Sequence, residues 1–289
     1  MSGDGSIVAV GAFGGVNNYG YQKGTVRVYE CWGSTWIQRG HDLEGEGIDW
    51  FGFSVAMSKD GSVLAVGAPN AAPNADYLRV YEWTGIDWKP RGHDIASTGQ
   101  DQFGFSVAIS KNGSLVAVGA RIGSLVRAFV WTDPVWLQVG QAIRGDGRFD
   151  DTGWAVAMSD TTRLAVGTPG SSYVRVYDWT GIVWIQVGQD IAGDNGAGES
   201  IALSRDGSVL AVSSLFARLD GLIGYVAVYG WTGSGWTQLG ANIVGKSATT
   251  AFGQSVALSN NGLVLAVGAE EGMVRVYQWN ELESTWPGH

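Results

Sequence analysis

The sequence predicts an all-β protein, a β-propeller of about six four-stranded blades, and three observations lead there. A unit of roughly 50 residues recurs along the 289-residue chain. Each unit holds four short runs rich in valine, tyrosine and tryptophan, the first two joined by a tight Asx-Gly turn. The first two runs are apolar on both faces, as in Val63, Leu64, Ala65 and Val66, whereas the last two alternate with charge at Arg79, Glu82, Asp87 and Lys89. That dry-to-wet gradient suits a blade whose inner strands lie between neighbouring blades and whose outer strands reach solvent. A solenoid of stacked repeats is the weaker alternative.

The repeat aligns on FGFSVAMSKDGSVLAVGAP from Phe51, FGFSVAISKNGSLVAVGA from Phe103 and FGQSVALSNNGLVLAVGA from Phe252, with degraded copies from Gly153 and Gly198. A second block follows each copy, from VRVYECWGSTWIQRG to VRVYQWNELESTWPG, with first tryptophans Trp32, Trp83, Trp131, Trp179, Trp231 and Trp279. Within a unit, strand a is FSVAMS, strand b VLAVGA, strand c LRVYEW, and strand d begins at WIQ. Asp60-Gly61, Asn112-Gly113, Asp206-Gly207 and Asn261-Gly262 supply the positive φ of the a–b turn. This reading makes residues 1–289 a single domain with blades at about 1–50, 51–102, 103–152, 153–197, 198–251 and 252–289. Met1 aligns with Met57, so the first blade is expected to lack its innermost strand, and the last to stop inside strand d. The chain then reads as a fragment of a longer repeat protein, of six or seven blades, or as a ring closed on an incomplete blade.

Composition narrows the partners. A net charge of -9 and a pI near 4.7 argue against a duplex nucleic-acid binder, which presents a basic stripe to phosphates. No apolar run approaches the length of a membrane span, so no membrane insertion is expected, and the N-terminus has no signal-peptide pattern. One cysteine, Cys31, excludes an internal disulfide and reads as an ordinary strand residue.

Phe51-Gly52 and Gly67-Ala68-Pro69 resemble the FG-GAP repeat of the integrin α-subunit propeller. A Trp-rich FG-GAP-like pattern, SVAxSxDGxxLAVGA followed by VRVYxWxGxxWxQxG, covers nearly the whole chain. The resemblance implies an extracellular or cell-surface setting and a propeller whose long-loop face meets ligands. Integrin-type repeats carry a calcium loop between strands a and b, which needs several oxygen ligands at alternating positions. Here that link has shrunk to Ser58-Lys59-Asp60-Gly61-Ser62. No cofactor is therefore expected, and the a–b hairpins do not support calcium.

Strand parity places the long b–c and d–a loops on one rim, which is also acidic. Loops on a rigid scaffold are where binding residues usually sit. The candidate ligand-binding residues are Asp42, Glu44, Glu46, Asp49, Asp94, Asp101, Asp146, Asp150, Asp151, Asp190 and Asp194, joined by Trp50 and Trp154 at the loop-to-strand junctions. Asp49, Asp101 and Asp151 also read as turn-fixing acids. The repeated tryptophans read as packing. His41 and His93 share their place with Gln141, Gln189 and Ala241, which points to a hydrogen-bonding surface role rather than a metal. No nucleophile elbow, phosphate loop or zinc signature is present. The expectation is thus a non-enzymatic recognition or adhesion module that takes a protein or glycan on its long-loop face. The alternatives are a glycoside hydrolase-like enzyme with a central carboxylate site, and a purely structural repeat.

Overall fold

Strand b is a run of β-branched and small residues that suits a pleated surface buried on both sides, and Val63–Ala68 and Leu115–Ala120 are buried at every position. The computed structural model describes residues 1–14, 24–71, 76–147, 149–160, 163–219, 222–245, 251–269 and 272–288. Among them the chain forms six antiparallel sheets, the blades of a β-propeller, as the repeat predicts. Two compact units, Met1–Arg144 and Gly145–His289, hold three blades each.

In the first unit, blade 1 runs from strand b, Ile7–Ala12, through Thr25–Trp32 to Thr35–Gln38, and no strand a precedes it among the described residues. Blade 2 has the full order Ser54–Met57, Val63–Ala68, Tyr77–Trp83, Trp88–Pro90, and blade 3 the order Phe103–Ile109, Leu115–Ala120, Leu125–Thr132, Val135–Arg144. In the second unit, blade 4 comprises Val156–Met158, Arg163–Thr168, Tyr173–Trp179 and Trp184–Gln186, and blade 5 Ala197–Leu203, Val209–Leu219, Leu222–Trp231 and Trp236–Gln238. Blade 6 has Phe252–Leu258, Val264–Ala269 and Met273–Gln278, with the bridges Asn280 to Thr285 and Tyr277 to Gly288 in place of strand d.

The two halves of the repeat motif meet across successive blades. Gly67 at the end of one strand b lies under Gly104 of the next blade, so closely that a Cβ on Gly67 would stand 2.1 Å from the Gly104 carbonyl oxygen. Gly11 meets Gly52, and Gly167 meets Gly198, in the same way at 2.0 Å. The phenylalanine beside the upper glycine fills the space this approach leaves. Phe51 packs with Val26, Val28, Leu64 and Val66, and Phe103 with Leu78, Val80, Val116 and Val118.

The repeated tryptophans serve packing, as expected. The second indole of a blade donates to a main-chain carbonyl of the preceding one: Trp88 to Arg39 at 3.0 Å, Trp136 to Arg91 at 2.8 Å, Trp286 to Leu239 at 3.0 Å. The two indoles of a blade pack together, as Trp83 and Trp88 do at 5.4 Å, and the Arg39 guanidinium lies 4.5 Å above the Trp83 ring. Blade 1 departs from the predicted register. Cys31 lies opposite Trp36, where Trp83 lies opposite Trp88, so Cys31 rather than Trp32 holds the first tryptophan's place. Trp32 stands one residue on, opposite Thr35, which turns it to the other face of the strand and leaves it 65% exposed.

The a–b hairpins close on their own side chains. Asp60 Oδ1 accepts from the Ser58 hydroxyl, the Ser62 hydroxyl and the Ser62 N–H, and Asp206 repeats the pattern with Ser204 and Ser208. The His41 position does clasp the next blade. His41 N–H donates to Asp87, whose carboxylate also lies 2.9 Å from the imidazole, and Gln189 exchanges two hydrogen bonds with the Trp236 main chain.

Candidate functional site

Five of the eleven candidate acids on the long loops are held by arginines of strand c. Arg79 bridges Glu46 at 2.8 Å and Asp94 at 2.6 Å, and Arg175 bridges Asp146 at 2.6 Å and Asp190 at 2.8 Å. Arg27 holds Asp42 at 2.9 Å. These guanidiniums keep Asp42, Asp146 and Asp190 below the usual carboxylate range. Glu44 and Asp194 are exposed.

A carboxyl depressed in the folded state contributes stability that is present above the ordinary aspartate range and is lost as pH falls through the depressed value. Replacing Arg175 by alanine should therefore lower stability at neutral pH and flatten its decline below about pH 4. Urea midpoints measured across that range read both effects.

Asp49 and Asp150 are turn acids. Asp49 is buried and accepts from the N–H groups of Glu46 and Phe51 and from the Tyr77 hydroxyl at 2.6 Å. Asp150, also buried, accepts from the Ser171 hydroxyl and the Gly147 N–H. The turn-fixing acid of the fourth blade is thus Asp150, and the alignment that gave this role to Asp151 is one residue out. Asp151 instead takes the left-handed position, φ 54°, that Trp50 and Gln102 take at 55° and 58°. Trp154 correspondingly matches Phe53 and Phe105, directly after the glycine, rather than the phenylalanine before it.

In the first unit the structure does bring two of the predicted residues, Trp50 and Asp101, into one neighbourhood. Trp50 stacks on Phe53 at 5.8 Å, Phe13 meets Phe53 edge-on at 5.1 Å, and Phe53 lies 4.8 Å from Phe105. The Arg121 guanidinium lies 5.4 Å over the Phe105 ring. The result is a partly open stripe of four rings with a cation at one end; Trp50, Phe53 and Phe105 lie at the entries of the innermost strands, and Phe13 and Arg121 directly follow strand b of blades 1 and 3.

Beside that end lie two carboxylates. Asp101 accepts from the Phe103 N–H at 3.2 Å. Asp76, only 2% exposed, accepts from the N–H groups of Ala71 at 3.1 Å and Gln102 at 2.7 Å. Burial first, and then the nearby negative Asp101, push the Asp76 carboxyl above its ordinary value. Gln102, held in the left-handed region between them, has a buried side-chain oxygen with no hydrogen-bond partner among the described residues. A strained residue with an unmet acceptor beside a pair of carboxylates is the kind of arrangement that accompanies function. Sequence reasoning missed Phe13, Phe53, Asp76, Gln102, Phe105 and Arg121. A signal for two of them was available, since Phe53 and Phe105 depart from the Gln254 of the sister repeat. No group of three His, Cys, Asp or Glu side chains able to hold a metal occurs among the described residues.

The fold and this rim define a β-propeller with a ring-lined, carboxylate-bearing patch at its loop junctions. No family model matches the chain, and no curated protein matches it in sequence. Solved structures do share its fold. A protein from Lactobacillus plantarum is similar over 98% of this chain and 81% of its own, at 14% identity and a TM-score of 0.70. The periplasmic gluconolactonase of Pseudomonas aeruginosa is similar over 91% of this chain and 77% of its own, at 14% identity and a TM-score of 0.68. A putative 6-phosphogluconolactonase from Bacteroides uniformis is similar over 98% and 95%, at 14% identity and a TM-score of 0.54.

These likenesses correct the expectation of a non-catalytic recognition module. Propellers of this architecture include a gluconolactonase, so the lack of a contiguous catalytic motif does not mark such a chain as non-enzymatic. The physical reason is that each blade contributes side chains singly from its loop ends, and a site so assembled leaves no spacing signature in the sequence.

Proposed function

We propose that this chain is a hydrolase of small cyclic esters of sugar acids, a lactonase-type propeller enzyme that works at the ring stripe of its first unit. The observation that carries the proposal is the Asp101–Gln102–Asp76 group at the end of that stripe, on a fold similar to that of a gluconolactonase. The rings offer a flat apolar surface for the substrate ring. Asp101 acts as general base on a water molecule, whose oxygen forms a bond to the lactone carbonyl carbon. Arg121 stabilises the oxyanion as it develops. The ring C–O bond then breaks, and the ring oxygen leaves as a hydroxyl carrying the proton Asp101 took. Asp76 is a positioning residue: it holds the Gln102 N–H and with it the strained junction.

The repeat that builds the scaffold we infer to be FG-GAP-like, supported by the meeting of Gly67-Ala68 with Phe103-Gly104, and with it an extracellular or cell-surface setting. The test is acid release in a pH-stat with glucono-δ-lactone and with 6-phosphogluconolactone. Turnover above spontaneous hydrolysis is expected on at least one of them, with Asp101→Asn lowering kcat roughly 10²-fold at little change in KM. Rates equal to the spontaneous ones on both lactones, or full activity in Asp101→Asn, would overturn the proposal.

A further inference from the structure

Phe51, Phe103 and Phe252 each fill the joint between two successive blades, and none is more than 2% exposed. Blade 5 carries Ala197 at that point of the repeat, directly before Gly198 as Phe51 stands before Gly52. The joint between blades 4 and 5 thus lacks the ring that packs its counterparts.

Its walls are otherwise the same. Val174 and Val176 of blade 4, with Leu210, Val212 and Tyr225 of blade 5, stand where Val26, Val28, Leu64, Val66 and Tyr77 surround Phe51, and all are buried. Two neighbours are larger than their counterparts, Ile201 in place of Val55 and Ser214 in place of Ala68. One methylene and one hydroxyl oxygen do not make up for a phenyl ring.

The main chain does not close the space either. A Cβ on Gly167 would stand 2.0 Å from the Gly198 carbonyl oxygen, as one on Gly11 would from that of Gly52, so blades 4 and 5 sit as far apart as blades 1 and 2. The incoming loop keeps its distance as well: a Cβ on Gly193 would stand 2.6 Å from the Ala197 Cβ, as one on Gly45 would from the Phe51 Cβ. Equal walls at equal spacing around a smaller residue leave a cavity of about one aromatic ring.

The wall of this cavity has one unmet polar group. Ser214 lies opposite Ala197 in the sheet, and its Oγ is buried with no hydrogen-bond partner among the described residues. A buried hydroxyl without a partner is destabilising, and a ligand that bonds to it relieves that cost.

We propose that the joint between blades 4 and 5 is a binding site for a small phenol, whose ring takes the place Phe51 holds between blades 1 and 2 and whose hydroxyl bonds to Ser214 Oγ. Apolar cavities of this size in protein cores take up benzene, and local opening of the joint lets such a molecule enter.

The test is titration of the full chain with phenol and with benzene, read by calorimetry and as a shift in Tm. One saturable site is expected for each. Ser214→Ala is expected to weaken phenol binding roughly 10-fold, since the phenol hydroxyl then has no partner, while benzene binding is kept. The triple variant Ala197→Phe, Ile201→Val, Ser214→Ala rebuilds the packing around Phe51, and is expected to raise Tm by a few degrees and to bind neither molecule. Absence of saturable phenol binding by the wild type, phenol affinity unchanged in Ser214→Ala, or binding retained in the triple variant would each overturn the proposal. A triple variant less stable than the wild type would overturn it too, because the joint would then have no room for a ring.

Discussion

Phe103→Ala is expected to cost about 3–5 kcal/mol of stability, the range for removing a fully buried phenylalanine from a packed core. The ring is 0% exposed and sits where two sheets meet, against Leu78 and Val80 of one blade and Val116 and Val118 of the next. It also meets Phe129 edge-on at 6.1 Å. Collapse of the void is resisted because the glycine beside it, Gly104, is already pressed on Gly67. A domain of this size should lose about 10 °C in Tm, read by scanning calorimetry. Phe53→Ala is the informative contrast. That ring belongs to the partly open stripe, so its loss should leave Tm within a few degrees while raising KM for the lactone.

Gly67→Ala is expected to be comparably severe for a different reason, overpacking rather than a cavity. The added methyl would stand 2.1 Å from the Gly104 carbonyl oxygen, a main-chain atom of the neighbouring blade that cannot swing aside. The blades would have to part, and a loss of at least about 3 kcal/mol follows, at the upper end for overpacked sites. Gly268→Ala places the same change at the same point of the repeat, where the nearest atom is the Ser255 hydroxyl, the end of a short side chain that can rotate. Chemical denaturation should show a large drop in midpoint for the first variant and a small one for the second.

The contrast between these glycines also marks what could be read in the sequence. The Phe-Gly and Gly-Ala pairs, the Asx-Gly hairpins and the paired tryptophans each report on contacts local to a strand or repeated identically at every joint. Those features were legible. Counting by letters failed where one residue was inserted or replaced: Cys31 displaces Trp32 from its register, and Asp150 rather than Asp151 makes the turn. The acidic rim was legible as charge but not as ion pairs. A signal did exist, since Arg27 and Asp42, Arg79 and Asp94, and Arg175 and Asp190 are each 15 residues apart. The Asp76–Gln102–Asp101 group left no signal. It joins the end of one blade's b–c loop to the entry of the next blade's first strand, and nothing in either stretch marks burial of the one or strain in the other.

The close seating of Gly67 under Gly104 has an evolutionary consequence. Where neighbouring blades touch main chain to main chain, their spacing does not depend on the size of any side chain. A duplicated, deleted or shuffled blade finds the same seat that its predecessor left, with no compensating substitutions in its neighbours. The loops, which carry no part of that seat, are then open to change one blade at a time, and a lineage of such proteins can alter its chemistry at a loop end without renegotiating its architecture.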